Sequence, residues 1–271
     1  MKRIPIIYFM LLCTSGLLSQ QTAHFMIQDE TYLTAMGFYE KGNYGTAREL
    51  FLRVSANDDY DRNAEIRAGS AFYAAMCAIR LFHDDAEFLA NQYLGKYPGH
   101  IHVNEARFQL ANYFYAVKKY RSALEYYRTV DKNKLSKEER AEYFFNKGYC
   151  LFMRDDLDDA RVAFFEIKDI HTRYTPPAMY YYSHINYSQH NYQTALNGFL
   201  TLTNDKTFGA IVPYYITHIY FLQKKYDKVI EFAPGFMDKV TEKRVAEVAR
   251  IIGESYFQTG KYAEAIPYLE K

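Results

Sequence analysis

A short pattern of residues returns along most of this chain: a small residue, two aromatic residues, a polar turn, a tyrosine, and an alanine three residues later. It reads Phe-Tyr-Glu-Lys-Gly-Asn-Tyr-Gly-Thr-Ala at 38–47 and Tyr-Phe-Gln-Thr-Gly-Lys-Tyr-Ala-Glu-Ala at 256–265. A pattern repeated at a fixed period limits the architecture more than any local preference, because each copy must fold into the same supersecondary unit. The period is therefore the first property to establish.

The small residue that follows each turn gives the period. It is found at Ala47, Ala86, Ala123, Ala160, Ala195, Val229 and Ala265. The separations, by subtraction, are 39, 37, 37, 35, 34 and 36 residues. Within each copy, apolar residues recur at i, i+3, i+4 and i+7 on both sides of the polar turn, which is the pattern of two amphipathic helices. The sequence therefore predicts about seven helical hairpins.

A second set of small residues lies in the first helix of each predicted hairpin. Its members are Ala35, Ala74, Ala111, Gly148, Ser183, Thr217 and Gly253. We expect the two helices of a hairpin to cross closely here, since a large side chain would push them apart. The turn tyrosine is replaced by His83 in the second copy and by Leu157 in the fourth. We expect Gly148→Leu to disrupt its hairpin, because overpacking a close crossing is destabilising.

With these positions the chain resembles the tetratricopeptide repeat (TPR) family, whose period is 34 residues, over about residues 28–271. The resemblance implies an all-α fold, a right-handed TPR superhelix or α-solenoid of about seven helix-turn-helix units, with about fourteen helices after residue 27. It also implies a protein that binds other proteins and is not an enzyme. The chain departs from the family pattern in having no tryptophan and a closing proline only at Pro98.

The resemblance further implies a concave groove lined by the first helices, at motif positions 2, 5, 9 and 12. Carried over to this sequence, the partner-binding residues are Tyr32, Tyr39, Phe108, Asn112, Tyr115, Phe145, Tyr149, Phe152, Tyr180, His184, Tyr187, Tyr214, His218 and Phe221. We expect the region of Tyr149, Tyr180 and Tyr187 to be the main binding surface.

The second copy differs from the others in this groove. The second copy offers only alanines, Ala68, Ala71, Ala75 and Ala78, which predicts an open, shallow wall there. An exposed apolar patch of this extent indicates an interaction site. The alternative is that the rings pack against neighbouring units or against an inserted helix of the same chain.

Composition and motifs argue against several other functions. Lys and Arg total 33 and Asp and Glu total 32, so no basic excess points to nucleic acid. His100 and His102, and the acidic run 154–159, lie where turns and a helix start are predicted. Neither completes a metal-ligand set. No nucleophile or phosphate-binding motif is present. We expect no catalytic residue, no metal and no cofactor.

The first twenty residues differ from the rest. A basic start at Lys2 and Arg3 precedes an apolar run at 6–12 and a small-to-polar exit at 15–20. This is typical of a secretory signal peptide at 1–20, and Cys13 leaves lipidation as an alternative. We expect an exported protein that is periplasmic or outer-membrane associated. Cys77 and Cys150 are predicted to be small buried hydrophobic residues without a disulfide.

Three functions remain open from the sequence. The first is a non-enzymatic scaffold of the cell envelope that binds a protein or peptide partner, with possible association with the outer membrane through that partner. The second is a structural subunit of an outer-membrane assembly or secretion machine. The third is the N-terminal recognition arm of an enzyme whose catalytic domain lies beyond residue 271. We also expect more repeats or another domain to follow residue 271, or a partner to cover this end, because the apolar faces of the last hairpin would otherwise lack a neighbour.

Overall fold

The computed structural model describes residues 30–56, 64–240 and 242–271. The predicted signal peptide at 1–20, with Cys13, lies outside these residues. Within the described residues the regular structure is helical, with fourteen α-helices and no strand. The predictions of an all-α fold and of about fourteen helices are confirmed. None of the described helices is both long and apolar enough to span a membrane.

The chain divides into two compact bodies at Asp131 and Lys132. The N-terminal body contains α1 (30–40), α2 (Tyr44–Ser55), α3 (Ala64–Arg80), α4 (Ala86–Lys96), α5 (Val103–Ala116) and α6 (Tyr120–Tyr127). The C-terminal body contains α7 (Lys137–Phe152), α8 (Leu157–Phe165), α9 (Thr175–Ser188), α10 (Tyr192–Thr201), α11 (Val212–Leu222), α12 (Tyr226–Phe232), α13 (Glu242–Gln258) and α14 (Tyr262–Leu269).

Consecutive helices pair into hairpins, three in the N-terminal body and four in the C-terminal body. All seven small residues that define the period are buried in these hairpins, with at most 2% of their surface exposed. The second set of small residues is buried as well. The turn tyrosines are the first residues of the second helices, at Tyr44, Tyr120, Tyr192, Tyr226 and Tyr262. The register deduced from the sequence is therefore correct.

Every hairpin turn has the same backbone. One residue adopts the left-handed conformation, with φ between 53° and 76°, and the next residue donates its N–H to the carbonyl five residues earlier. In the third hairpin, Lys118 has φ 60° and Lys119 N–H donates to Phe114 O over 2.9 Å. This arrangement is the Schellman motif that ends a helix. The left-handed residues are Gly42, Phe82, Lys118, Asp155, His190, Lys224 and Gly260.

The second hairpin departs from the others in the length of its turn. Phe82 lies four residues before Ala86, whereas the left-handed residue lies five before the buried small residue in the other six hairpins. The second helix nevertheless begins later than in the other hairpins, because α4 begins only at Ala86 itself and residues 81–85 separate it from α3. This explains why the second copy matches the sequence pattern least well.

The predicted close crossings are also present. A Cβ atom at Gly148 of α7 would lie 3.0 Å from the Phe164 ring of α8, and one at Gly253 of α13 would lie 2.6 Å from the Leu269 side chain of α14. These glycines therefore allow the two helices of a hairpin to approach each other. Cys77 and Cys150 are buried, free thiols, as predicted.

Candidate binding surface

In the N-terminal body, the predicted groove residues do not all reach the surface. Tyr32 and Tyr39 of α1 are half-buried, and Tyr39 makes an edge contact with Tyr73 of α3 at a centroid distance of 5.0 Å. Asn112 and Tyr115 of α5 are also half-buried, and Asn112 Oδ1 accepts a hydrogen bond of 2.6 Å from the hydroxyl of Tyr127. Of the four predicted rings of the N-terminal body, Tyr32, Tyr39 and Tyr115 are therefore half-buried, and Phe108 is the one that is fully buried.

Phe108 corrects the prediction directly. Its side chain is only 1% exposed and belongs to the core, because α5 packs against α3, α4 and α6. It cannot line a binding surface. The alanines of α3 correct a second expectation: Ala68, Ala75 and Ala78 are buried, and Ala71 is half-buried. They form helix contacts rather than an open, shallow wall.

In the C-terminal body, the predicted residues of α7, α9 and α11 are all half-buried. They occupy equivalent positions on three successive first helices. Those of α7 are Phe145, Tyr149 and Phe152; those of α9 are Tyr180, His184 and Tyr187; those of α11 are Tyr214, His218 and Phe221. We call these nine residues the aromatic surface.

Two buried or half-buried tyrosines support the aromatic surface from behind. The Tyr181 ring lies 5.5 Å from the Tyr149 ring and 5.1 Å from the Phe152 ring, measured between centroids. The Tyr215 ring lies 5.2 Å from the Tyr187 ring. Each supporting tyrosine follows a surface tyrosine in the sequence and links one first helix to the one before it. The alternative that rings pack against neighbouring hairpins is thus correct for one side of Tyr149, Phe152 and Tyr187.

Hydrogen bonds and ring contacts fix several surface rings. The Tyr187 hydroxyl lies 2.9 Å from Nδ1 of His218, which joins α9 to α11. The Tyr180 ring stacks on Phe208, in the loop before α11, at a centroid distance of 4.7 Å. Phe221 makes an edge contact with Tyr226 at 5.9 Å. Because the rings are held by their neighbours, their positions are fixed before any partner binds, which lowers the entropic cost of binding.

Charged residues of α13 border the aromatic surface. The guanidinium carbon of Arg244 lies 4.0 Å from the centre of the Tyr214 ring, within the range of a cation–π interaction. The Tyr214 hydroxyl donates to the Glu247 carboxylate, whose two oxygens both lie 3.1 Å away. Arg244 and Glu247 were not identified from the sequence. Their charges carry no motif, and only the packing of α11 beside α13 places them here.

The electrostatics of this surface favour neutral side chains. Burial lowers the pKa of His184, and the nearby Arg244 cation lowers it further. Burial also lowers the pKa of His218, where Glu247 opposes the effect and Arg250 adds to it. Burial raises the pKa of Tyr187 to about 12. At neutral pH both imidazoles are therefore uncharged, and the tyrosine hydroxyls stay protonated and able to donate.

The histidines considered as metal ligands have other contacts. The His100 ring lies with Nδ1 2.6 Å from the Tyr93 hydroxyl and Nε2 3.2 Å from a Glu65 oxygen. His102 stacks on Phe72 at 4.4 Å. Asp158 and Asp159 lie in the first turn of α8, where the helix dipole favours negative charge. Among the described residues, no group of three His, Cys, Asp or Glu side chains is arranged to hold a metal ion.

Comparison with known proteins agrees with this fold. Residues 108–167 match the model of the tetratricopeptide repeat. A solved tetratricopeptide repeat protein from Parabacteroides merdae is 12% identical, with 89% of this chain and 90% of that chain aligned at a TM-score of 0.52. The structure of pilF from Pseudomonas aeruginosa is 15% identical, with 86% and 97% aligned at 0.52. A MamA protein structure is 17% identical, with 62% and 89% aligned at 0.50.

These identities are too low to carry more than the fold, and no curated protein matches the sequence. The helical hairpins define the class: a repeat protein built from stacked pairs of antiparallel helices. The repeat is the tetratricopeptide repeat, by sequence over residues 108–167 and by fold over the described helices.

Proposed function

We propose that this protein is a non-enzymatic interaction scaffold that binds a protein or peptide partner on the aromatic surface of its C-terminal body. Repeat proteins of this class are in general scaffolds for protein–protein interactions. The observation that carries the proposal is the set of aromatic and histidine side chains on three successive first helices, half-exposed and held in place by ring contacts and hydrogen bonds.

The chemistry of the surface suits a polypeptide. Tyrosine and phenylalanine rings offer a large contact area with few rotatable bonds, and such rings dominate binding energies at protein interfaces. The protonated hydroxyls of Tyr187 and Tyr214 can exchange their internal partners for backbone carbonyls of a bound peptide. Arg244 supplies one cation at the border. Since the Glu247 carboxylate lies at the same border, this largely uncharged surface favours an aromatic or aliphatic segment of a partner.

The test uses residues whose truncation leaves the supporting tyrosines in place. A peptide is selected from a random display library on the immobilised chain, and its Kd is measured by fluorescence anisotropy. The double variant Phe152→Ala and Phe221→Ala should weaken binding by about tenfold or more, as expected when two contact residues are truncated. Truncating Tyr180 or Tyr187 would be less informative, because Tyr180 stacks on Phe208 and the Tyr187 hydroxyl bonds to His218.

The matched control lies elsewhere on the same body. Val162 of α8 and Leu200 of α10 are exposed apolar residues outside the aromatic surface. The double variant Val162→Ala and Leu200→Ala should bind the peptide with unchanged affinity. Equal affinity of the Phe152/Phe221 variant and the wild type, with circular dichroism spectra that match, would refute the assignment of this surface.

We also propose that the protein is exported to the cell envelope and acts there, with any contact to the outer membrane made through its partner. The support is the composition of residues 1–20, with basic Lys2 and Arg3 before an apolar run. Expression in a Gram-negative host, followed by fractionation and N-terminal sequencing, tests it. The expected product is a periplasmic chain shortened by about twenty residues. A full-length chain in the cytosol would contradict the proposal.

A further inference from the structure

A recess lies on the face of the C-terminal body opposite the aromatic surface, between the second helices α8 and α10. Its volume is about 390 Å³, and its walls include Phe165 of α8, Met179 and Tyr182 of α9, and Asn197 of α10. An adjoining cavity of about 500 Å³ continues it past Thr201 towards His171. We call the recess of about 390 Å³ the α8–α10 cleft. Tyr180 and Tyr182 are two residues apart on α9, which places them about 200° apart around the helix. The cleft is therefore distinct from the aromatic surface.

In the N-terminal body, a tyrosine side chain bridges the equivalent second helices α4 and α6. Tyr126 of α6 stacks on Phe114 of α5 at a centroid distance of 5.3 Å, with the two rings nearly parallel. The Tyr126 hydroxyl reaches across to the side chain of Asn91 in α4, at 2.9 Å from Nδ2. An aromatic side chain of the chain itself thus joins these two second helices.

The same two positions differ in the C-terminal body. Tyr126 lies three residues after the buried small residue of its helix, Ala123, and the equivalent position in α10 is Gly198. Asn91 lies five residues after Ala86, and the equivalent position in α8 is Phe165. The bridging tyrosine is therefore missing, and Phe165 is left 56% exposed at the edge of the cleft.

Position 198 cannot carry the missing side chain. A Cβ atom there would lie 2.0 Å from Oγ of Ser183 and 3.0 Å from Sδ of Met179, because α10 approaches α9 closely at this point. Ser183 is fully buried, and its hydroxyl has no hydrogen-bond partner. The base of the cleft is thus formed by the backbone of Gly198 and the sulfur of Met179. The buried hydroxyl beside it, which has no hydrogen-bond partner, is that of Ser183.

The walls are suited to an aromatic ring. The centroids of the Phe165 and Tyr182 rings lie 5.8 Å apart. The Lys168 ammonium lies 4.9 Å from the centre of the Phe165 ring and also pairs with Asp169. Methionine sulfur and lysine cations both interact favourably with aromatic faces. Thr194 and Asn197 at the rim offer hydrogen bonds to a peptide backbone.

We propose that the α8–α10 cleft binds an aromatic side chain of a partner polypeptide, which joins α8 and α10 as Tyr126 joins α4 and α6. The occupant is an external tyrosine or phenylalanine in an extended segment, whose backbone bonds to the polar rim. The chain would then contact its partners on two faces, because the aromatic surface and the cleft lie on opposite sides of α9. This proposal does not depend on the function of the aromatic surface.

The test follows the methyl group of Met179 by NMR in protein labelled with [¹³C-methyl]methionine. The chain has eight methionines, and Met179→Leu assigns the resonance. The probe is N-acetyl-tyrosinamide, with N-acetyl-alaninamide as the control, at millimolar concentrations suited to so small a ligand. We expect a saturable upfield shift of the Met179 methyl with the tyrosine probe alone.

Two variants at one exposed position make the test specific. Thr194→Trp should fill the cleft and abolish the shift, whereas Thr194→Ala should retain it. Absence of a shift in the wild type, an equal shift with the alanine probe, or a shift unaffected by Thr194→Trp would each overturn the proposal. The Phe152/Phe221 variant should leave the shift unchanged, which separates this result from the test of the aromatic surface.

Discussion

Gly148 shows how a single residue sets the distance between two helices. A Cβ atom there would meet the ring of Phe164 at 3.0 Å, and that ring is fully buried. The sequence predicted this crossing correctly because the small residue recurs at the same place in every copy. Periodic steric constraints of this kind are visible in a sequence without any structure.

We expect Gly148→Leu to lower the free energy of unfolding by about 1–3 kcal/mol, because the larger side chain overpacks the crossing. Urea unfolding followed by circular dichroism measures the change. Gly95→Ala in α4 is the control, since a Cβ atom there meets nothing within 4 Å and alanine favours a helix by about 1 kcal/mol. Equal stabilities of Gly148→Leu and the wild type would refute the close crossing.

The two buried cysteines allow a chemical test. Burial raises the pKa of Cys77 and of Cys150 to about 12, so neither forms a thiolate near neutral pH. We expect both to resist a thiol reagent such as 5,5′-dithiobis(2-nitrobenzoate) in a folded chain of residues 21–271. Both should react within seconds to minutes once the chain is unfolded in guanidinium chloride. Fast labelling of either residue in the folded chain would contradict its burial.

Phe108 shows where inference from single residues fails. Its motif position is half-exposed in other hairpins, as at Phe145 and Tyr180, yet in α5 it faces the core. A repeat motif gives the position of a residue on its helix, whereas its exposure depends on which helices pack around it. That packing differs between hairpins, and the sequence does not encode it locally.

At the scale of the hairpin, all seven turns place one residue in the left-handed conformation, which most of the residues found there do not favour. Five of the seven left-handed positions hold a residue other than glycine, which costs about 1–2 kcal/mol per residue. The sequence did not reveal this strain, because only Gly42 and Gly260 carry the expected signal. The conserved geometry comes from the i to i−5 hydrogen bond that ends each first helix.

We expect Lys118→Gly to raise the free energy of unfolding by about 0.5–1 kcal/mol, since glycine relieves the left-handed strain but loses more chain entropy on folding. Lys119→Gly is the matched control. Lys119 has φ −85°, so glycine there gains nothing and should be neutral or destabilising. Thermal unfolding by calorimetry compares the two. A destabilised Lys118→Gly would show that this position is not strained.

The histidines of α9 and α11 make the stability of the C-terminal body depend on pH. An unfolded histidine takes up its proton near pH 6.5, whereas His184 and His218 do so at lower pH when folded. In that interval the unfolded chain holds more protons, so stability rises with pH. Their contribution is complete above about pH 6.5 and is lost as the pH falls towards the folded pKa values.

The double variant His184→Gln and His218→Gln should therefore show a smaller loss of stability than the wild type when the pH falls from about 7 to about 5.5. Chemical unfolding at a series of pH values gives both slopes. Replacing an exposed histidine outside this surface, His83, serves as the control. Identical slopes for the double variant and the wild type would refute the lowered pKa values.

At the scale of the molecule, the division into two bodies was not visible in the period, which continues across residues 131 and 132 with a spacing of 37. The sequence predicted the helices, their pairing and most of the buried positions, since these follow from local periodicity. It did not predict the α8–α10 cleft, because the cleft depends on comparing two distant positions, Phe165 and Gly198, after the helices have packed.

We expect residues 132–271 to fold alone, because two hydrophobic clusters that join neighbouring hairpins lie entirely within them. The fragment should be helical by circular dichroism and unfold in a single transition. A shorter fragment, 132–205, lacks α11, whose Val212, Ile216 and Ile219 cover α10 in the larger one. It should be less stable, as repeat proteins depend on contacts between neighbours. Equal stability of both fragments would contradict this.

The near-equal spacing of the seven hairpins also has a mechanical consequence. Each hairpin releases 34 to 39 residues of chain when it opens, which corresponds to about 12 nm of extended polypeptide. The turns share one backbone geometry, so the hairpins begin to yield from similar structures. Stretched between optical tweezers, the molecule would lengthen in discrete steps of nearly equal length. A ligand bound to one body would raise the force needed to open only the hairpins of that body.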